Sequence, residues 1–271
     1  EEEEEEEAAE QNNQPSKSST PNEAELEQIV KDLDAQVRVI KATGVIMETD
    51  AKSLQVTKKL QDATRDLLIA RYGPYENKPY RIQVKLQFQE SIPDFEEKGP
   101  NGEFTIEMAP PSLVPHSVFT FMEIARNYKG GGFHRVAGHV LQVMVKGGFK
   151  HLAFQEYSKE FPHKKGTVGY AGRPSGPAWY VSIENNTRNH GPGSQQKHNP
   201  YEADAAFGTV IEGFEDVILD RVKKIPGQGF VNDSKKWVLI TDLVIMVEGS
   251  GPDATSDGYV EWVPKGTRKS F

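Results

Sequence analysis

The stretch VPHSVFTFMEIARNYKGGGFHRVAGHVLQ, residues 114–142, decides the fold. Its first half reads as a helix: Val114-Pro115 puts a proline at a helix start, and Val118, Phe121, Met122 and Ala125 share one face. Asn127 and the run Gly130-Gly131-Gly132 end it. From Phe133 onward the chain is apolar apart from His134, Arg135, His139 and Gln142, and reads as one strand over 133–145. On a single strand His134 and His139, five apart, face opposite sides, which argues against a shared metal ion. The glycine run precedes a strand and lacks the lysine of a phosphate-binding loop, so it reads as a flexible connector.

Working outward, Ile82, Val84, Leu86 and Phe88 alternate with polar residues, as do Phe104, Ile106 and Met108 after a turn at Pro100-Asn101-Gly102. These two segments predict an antiparallel hairpin. Further strands are expected at 166–171, 179–183, 205–211 and 236–247, with a helix near 213–223. Many short strands with few helices predict a mainly β fold, a closed barrel with helices at its ends.

Ahead of the barrel, Leu26, Val30, Leu33, Val37 and Ile40 form an apolar stripe, and Val56, Leu60, Ala63, Leu67 and Ala70 form another. Residues 22–73 therefore predict a short, coiled-coil-like helical hairpin, whose stripes either pack on the barrel or support self-association through residues 22–72. Residues 1–21 read as a disordered acidic and polar arm: positions 1–10 hold eight of the forty acidic residues and no basic one, so the net charge of −8 belongs to these ten positions. Residues 249–271 read as a polar tail. With a neutral body there is no basic stripe for phosphates, which excludes nucleic acid as the expected partner.

The 271 residues contain no cysteine, so disulfides and thiolate metal sites are ruled out. No apolar run is long enough to span a bilayer. Two sequons, Asn185-Asn186-Thr187 and Asn232-Asp233-Ser234, and a chain that starts at Glu1, fit a secretory-pathway lumen and an upstream segment that has been removed. The compartment stays open on these signals. No cofactor is implied. Six of the seven histidines fall between 134 and 198, but without the spacing of a metal centre.

The order of these elements resembles the cyclophilins, the peptidyl-prolyl isomerase family. The proline-led helix, glycine turn and Phe133-His134-Arg135 strand ending in Gln142 match the family's first half. AAFGTVIEGFEDVI (205–218) is similar to its Phe-Gly-x-Val-x-x-Gly segment, and HKKGTVGYAG (163–172) to the stretch that ends at a pocket alanine. The resemblance covers residues 78–248. It implies an eight-stranded antiparallel barrel capped by two helices, and catalysis of X-Pro isomerisation across a barrier of about 18–20 kcal/mol.

In that family an arginine donates to the prolyl carbonyl while an apolar slot holds the ring. The resemblance puts Arg135 on the arginine and Gln142 on the neighbouring glutamine, the two catalytic positions. Ala171 keeps a pocket alanine. Elsewhere the slot is altered: His139 stands at a phenylalanine, Val140 at a methionine, Gly172 at an asparagine, Tyr180 at a glutamine, Ser182 at the floor phenylalanine and Asp204 at a histidine. Each lost large apolar contact removes about 1.5–3 kcal/mol of burial. A degraded slot with weak or absent isomerase activity is expected, with binding of a proline-containing peptide or protein segment. His139 and Asp204 are expected to form a polar pair. The alternative is a non-catalytic interaction or scaffold protein that works through its helical hairpin.

Overall fold

In the computed structural model, which describes residues 21–76, 78–195 and 198–264, the alternation of β1 (Arg81–Gln87) is realised as buried Ile82, Val84 and Leu86 against outward Gln83, Lys85 and Gln87. β1 pairs antiparallel with β2 (Asn101–Met108), as the turn residues between them predict. The sheet continues from β2 through β7 (Ala206–Glu212), β5 (Thr167–Tyr170), β6 (Trp179–Ser182), β4 (Val140–Val145) and β3 (Gly131–Val136). The eleven-residue β9 (Val238–Glu248) pairs with β1 along one part of its length and with β3 along another, which closes an eight-stranded antiparallel barrel. Two short strands extend it: β8 (Gly229–Phe230) beside β3, and β10 (Tyr259–Glu261) beside β9.

The expected single strand over 133–145 is two strands. Ala137, Gly138 and His139 form the turn between β3 and β4, which places Arg135 opposite Gln142. The apolar run continues across the turn because both strands have an inner face, so composition alone does not mark the reversal. The glycines before it are structural. A Cβ on Gly131 would lie 2.2 Å from the Met144 carbonyl oxygen, and one on Gly132 2.7 Å from that of Val238. They let β3 seat tightly between its two neighbours.

One barrel end is covered by α3 (Pro115–Arg126), whose Phe121 ring lies 4.3 Å from Phe207 and 5.5 Å from Trp179, centroid to centroid. Proline opens the helix, and the N-cap residue Val114 offers no side-chain acceptor. A distant carboxylate does the capping: buried Glu156 accepts from the backbone N–H groups of Ser117 at 2.6 Å and His116 at 3.3 Å. The helix expected near 213–223 is a π-helical turn at Phe214–Leu219 followed by a 3₁₀ turn at Val222–Lys224. It starts from Gly213, at φ 76°, where a Cβ would meet the Phe104 and Glu103 backbone.

The hairpin comprises α1 (Glu23–Ala42), started by a capping box of Asn22 and Glu25, and α2 (Ala51–Tyr72), capped by Asp50. Its core contains Leu26, Val30, Val37, Val56, Leu60, Ala63 and Leu67. Ala153 and Phe154 of the barrel join that core, so the hairpin packs on the barrel. α2 is buried on two sides. Leu68 and Tyr72 reach the barrel core and Arg71 is buried, whereas Ala70, expected on the stripe, is exposed. The Arg71 guanidinium pairs with Glu23 and Glu27 on α1 and with Glu123 on α3.

Much of the segment read as a polar tail is structured. β10 lies along β9, and the Trp262 ring sits 4.9 Å from Tyr72 with its indole N–H on the Arg71 carbonyl at 3.2 Å. Residues 1–20 of the predicted arm, and 265–271, lie outside the described residues. No helix among the described residues is long and apolar enough to cross a membrane.

Candidate functional site

The outward face of β3, β4, β6 and β5 carries one rung of facing residues: Arg135 opposite Gln142, Gln142 opposite Tyr180, and Tyr180 opposite Gly169. Period-2 alternation explains the placement, since Leu141, Val143, Trp179, Val181 and Val168 point into the barrel core. Arg135 donates from Nη1 to Gln142 Oε1 at 3.0 Å, and its guanidinium lies 4.8 Å over the ring of exposed Phe230. A donor is thus held flat between an amide and an aromatic face, with Nε free of any partner among the described residues.

Beside this donor lies a shallow groove of about 410 Å³ whose lining includes Gln142, Met144, Ala171, Gly172, Arg173 and Pro177. Ala171 and Gly172 therefore share a surface with Gln142. Gly172, at φ 95°, holds a left-handed backbone that suits glycine.

On the other side of the rung polar side chains of the protein gather around Asp204. Asp204, 2% exposed, accepts from the Tyr180 hydroxyl at 3.2 Å, contacts His190 Nδ1, and forms an ion pair with Arg173. His163, fully buried, donates from Nε2 to the Asp204 backbone carbonyl at 2.9 Å. That fixes Nδ1 as the acceptor facing the Tyr180 hydroxyl at 3.2 Å. The Tyr180 ring crosses over β5 because Gly169 has no side chain: a Cβ there would lie 2.8 Å from the phenol oxygen. Val140 and Ser182 face each other one rung along, both buried, with Ser182 Oγ 3.3 Å from Thr167 Oγ1.

Burial sets the charges. It pulls the His163 imidazole down to about 4 and His190 to about 3, with His163, His139, Arg173 and Arg135 adding repulsion at His190. Both rings are neutral at pH 7. Burial pushes the Tyr180 phenol up, against the pull of Arg173. The Arg173 guanidinium lies between the carboxyl groups of Asp204 and Glu202.

His139 belongs to the β3–β4 turn and lies against His190, ring centroids 5.3 Å apart, instead of against Asp204. Its carbonyl accepts from Ile183 N and Asn186 Nδ2. The histidine that meets Asp204 is His190, on the short helical turn Thr187–His190. Sequence reasoning missed His163, His190 and Arg173. The dense run of histidines between 134 and 198 was the available signal, and three of them do converge, around a carboxylate and a guanidinium. Among the described residues no group of three or more such side chains is arranged to hold a metal ion.

The profile described as cyclophilin type peptidyl-prolyl cis-trans isomerase/CLD matches residues 93–245, more than half of the chain. Among solved structures, the chain is similar to a cyclophilin-type peptidyl-prolyl cis-trans isomerase of Cryptosporidium parvum, at 17% identity and a TM-score of 0.42, covering 63% of this chain and 99% of that one. A structure of that protein in the presence of the dipeptide Ala-Pro gives 18% identity and a TM-score of 0.41, covering 60% and 98%. A comparison with curated proteins finds no match.

Proposed function

We propose that this chain, which belongs to the cyclophilin-type peptidyl-prolyl cis-trans isomerase family, uses its barrel face to bind a proline-containing segment and isomerises it weakly or not at all. The donor half of the chemistry rests on Arg135, whose half-buried guanidinium is aligned by Gln142 and Phe230 to donate to a prolyl carbonyl. A donor anchored on the prolyl carbonyl lowers the barrier by meeting the imide nitrogen lone pair as the X-Pro bond twists, and does so only when the ring is held.

The observation that carries the weak-activity reading is the cluster of Tyr180, His163, His190 and Asp204 that fills the volume beyond Gln142. A proline ring gains its hold from apolar contact. These side chains spend their polar groups on one another and offer it little. The groove lined by Gln142, Met144, Ala171 and Pro177 is left to receive the residues that flank the proline. Affinity then depends more on the segment's backbone and flanking side chains than on the ring.

The test is a titration of the ¹⁵N-labelled protein with an Ala-Pro-containing peptide. Shifts are expected at Arg135, Gln142, Met144 and Phe230, and Arg135→Ala is expected to weaken binding about tenfold, the effect of losing one charge-assisted hydrogen bond. Saturable binding that Arg135→Ala leaves unchanged, or no binding, contradicts the reading.

A further inference from the structure

A second cleft, which shares His151 with the lining of the barrel-face groove, lies where α1 and α2 meet α3 and the 149–151 loop. It measures about 430 Å³, within the range of small-molecule sites. Its bed is apolar: Val30, Leu67, Phe119, Ile124 and Phe149. His116 also lines it, 4% exposed, its ring stacked on Phe154 at 5.2 Å with an interplanar angle of 11°. Neither ring nitrogen of His116 has a hydrogen-bond partner among the described residues. A neutral imidazole carries one donor and one acceptor, and leaving both buried and unmade is costly. Such a ring at the wall of a cleft is a polar handle with nothing in the protein to hold.

The charges around the cleft are unequal: five lysine and arginine side chains line it, against three carboxylates. The arginines are engaged. Arg38 pairs with Asp34 and the His151 carbonyl, and Arg71 and Arg126 share Glu27 and Glu123. Lys31 and Lys150 are exposed and form no ion pair among the described residues. We infer that this cleft binds a small amphipathic carboxylate, an apolar body with one anionic head: Lys31 and Lys150 draw in the head, His116 supplies a neutral hydrogen-bond partner, and the apolar bed takes the tail. The surplus of positive charge favours an anion over a neutral or cationic ligand. Because the walls come from both hairpin and barrel, an occupied cleft ties the two together. The inference does not depend on the proline-binding reading.

Calorimetric titration of the full chain with sodium decanoate, kept below its micellar concentration, tests this. One saturable site is expected, with a rise in melting temperature that follows occupancy. Decan-1-ol, with the same tail and no charge, is expected to bind at least about tenfold more weakly. The double variant Lys31→Glu/Lys150→Glu, at exposed positions, should lose decanoate binding by a similar factor while its unliganded melting temperature stays put. His116→Phe keeps the ring on Phe154 and should weaken binding while removing the unmet polar atoms. Equal binding of the alcohol and the carboxylate, decanoate affinity unchanged in the double variant, or no saturable binding, each overturns the inference.

Discussion

Asp204 is held by His190, Tyr180 and Arg173 in a nearly dry site, so deleting its carboxylate removes the acceptor of His190 Nδ1 and the nearer carboxylate of the Arg173 guanidinium, which keeps Glu202 at 3.7 Å. Asp204→Ala is expected to cost about 3–5 kcal/mol of stability, the range for breaking a buried pair from one side. Urea denaturation measures it, and a loss below about 1 kcal/mol, the worth of an exposed pair, contradicts the placement. Acid acts on the neighbouring histidines. His163 and His116 are both pulled down to about 4 by burial, whereas an unfolded histidine titrates near 6.5. Between these values the unfolded chain binds more protons, so stability is complete above pH ~6.5 and falls as pH drops toward 4, by up to about 1.4 kcal/mol per pH unit for each histidine. Urea midpoints at pH 7, 6 and 5 test this; equal midpoints contradict it. At this scale the family motif singled out Arg135 and Gln142, though on one expected strand, and the turn at 137–139 is what sets them opposite each other. The sequence paired Asp204 with His139, where the structure has His190. His190 sits on a loop with no period, and nothing local says that it returns 14 residues along the chain to meet a carboxylate.

At the scale of elements, turns and close approaches were harder to read than alternation. β1 and β2 were legible because one face is buried and the other wet. The β3–β4 hairpin was not, since the turn at 137–139 lies inside an apolar run. Gly131 and Gly132 looked like slack in the chain and instead sit where neighbouring backbone oxygens leave no room for a side chain. Gly132→Ala is therefore expected to destabilise the barrel by about 1–3 kcal/mol, the usual cost of overpacking, because the obstructing atom is backbone and cannot turn aside. Gly138, with open space around its Cβ, is the control: Gly138→Ala should change the urea midpoint little. Equal effects at the two positions contradict this explanation. The capping of α3 was equally hidden, because Glu156 reaches it from some 40 residues downstream while Gln61 of α2 donates to the same carboxylate at 2.8 Å.

For the molecule as a whole, the hairpin and the barrel are fastened by polar and aromatic contacts as well as by apolar packing. Glu156 joins α2 to α3, Arg71 gathers carboxylates from α1 and α3, and Trp262 closes over Tyr72 from the chain's last described strand. Heptad spacing revealed that the hairpin would form; it did not reveal that α2 would be buried on two sides, since its second side is made of Ser53, Thr57, Thr64 and Arg71 as well as Leu68. The barrel as a whole was legible through the order of its motifs, and the polar cluster of Tyr180, His163, His190 and Asp204 only in part, through Tyr180 and Asp204. The functional claim that joins these scales is a retained carbonyl donor beside a slot occupied by the protein's own polar side chains. Its most direct test is the cis–trans exchange rate of an Ala-Pro peptide, measured by NMR exchange spectroscopy with micromolar protein. Uncatalysed exchange takes tens to hundreds of seconds, and the predicted acceleration is below about tenfold and absent in Arg135→Ala. Acceleration of about a hundredfold or more, or any acceleration that survives Arg135→Ala, would contradict the claim.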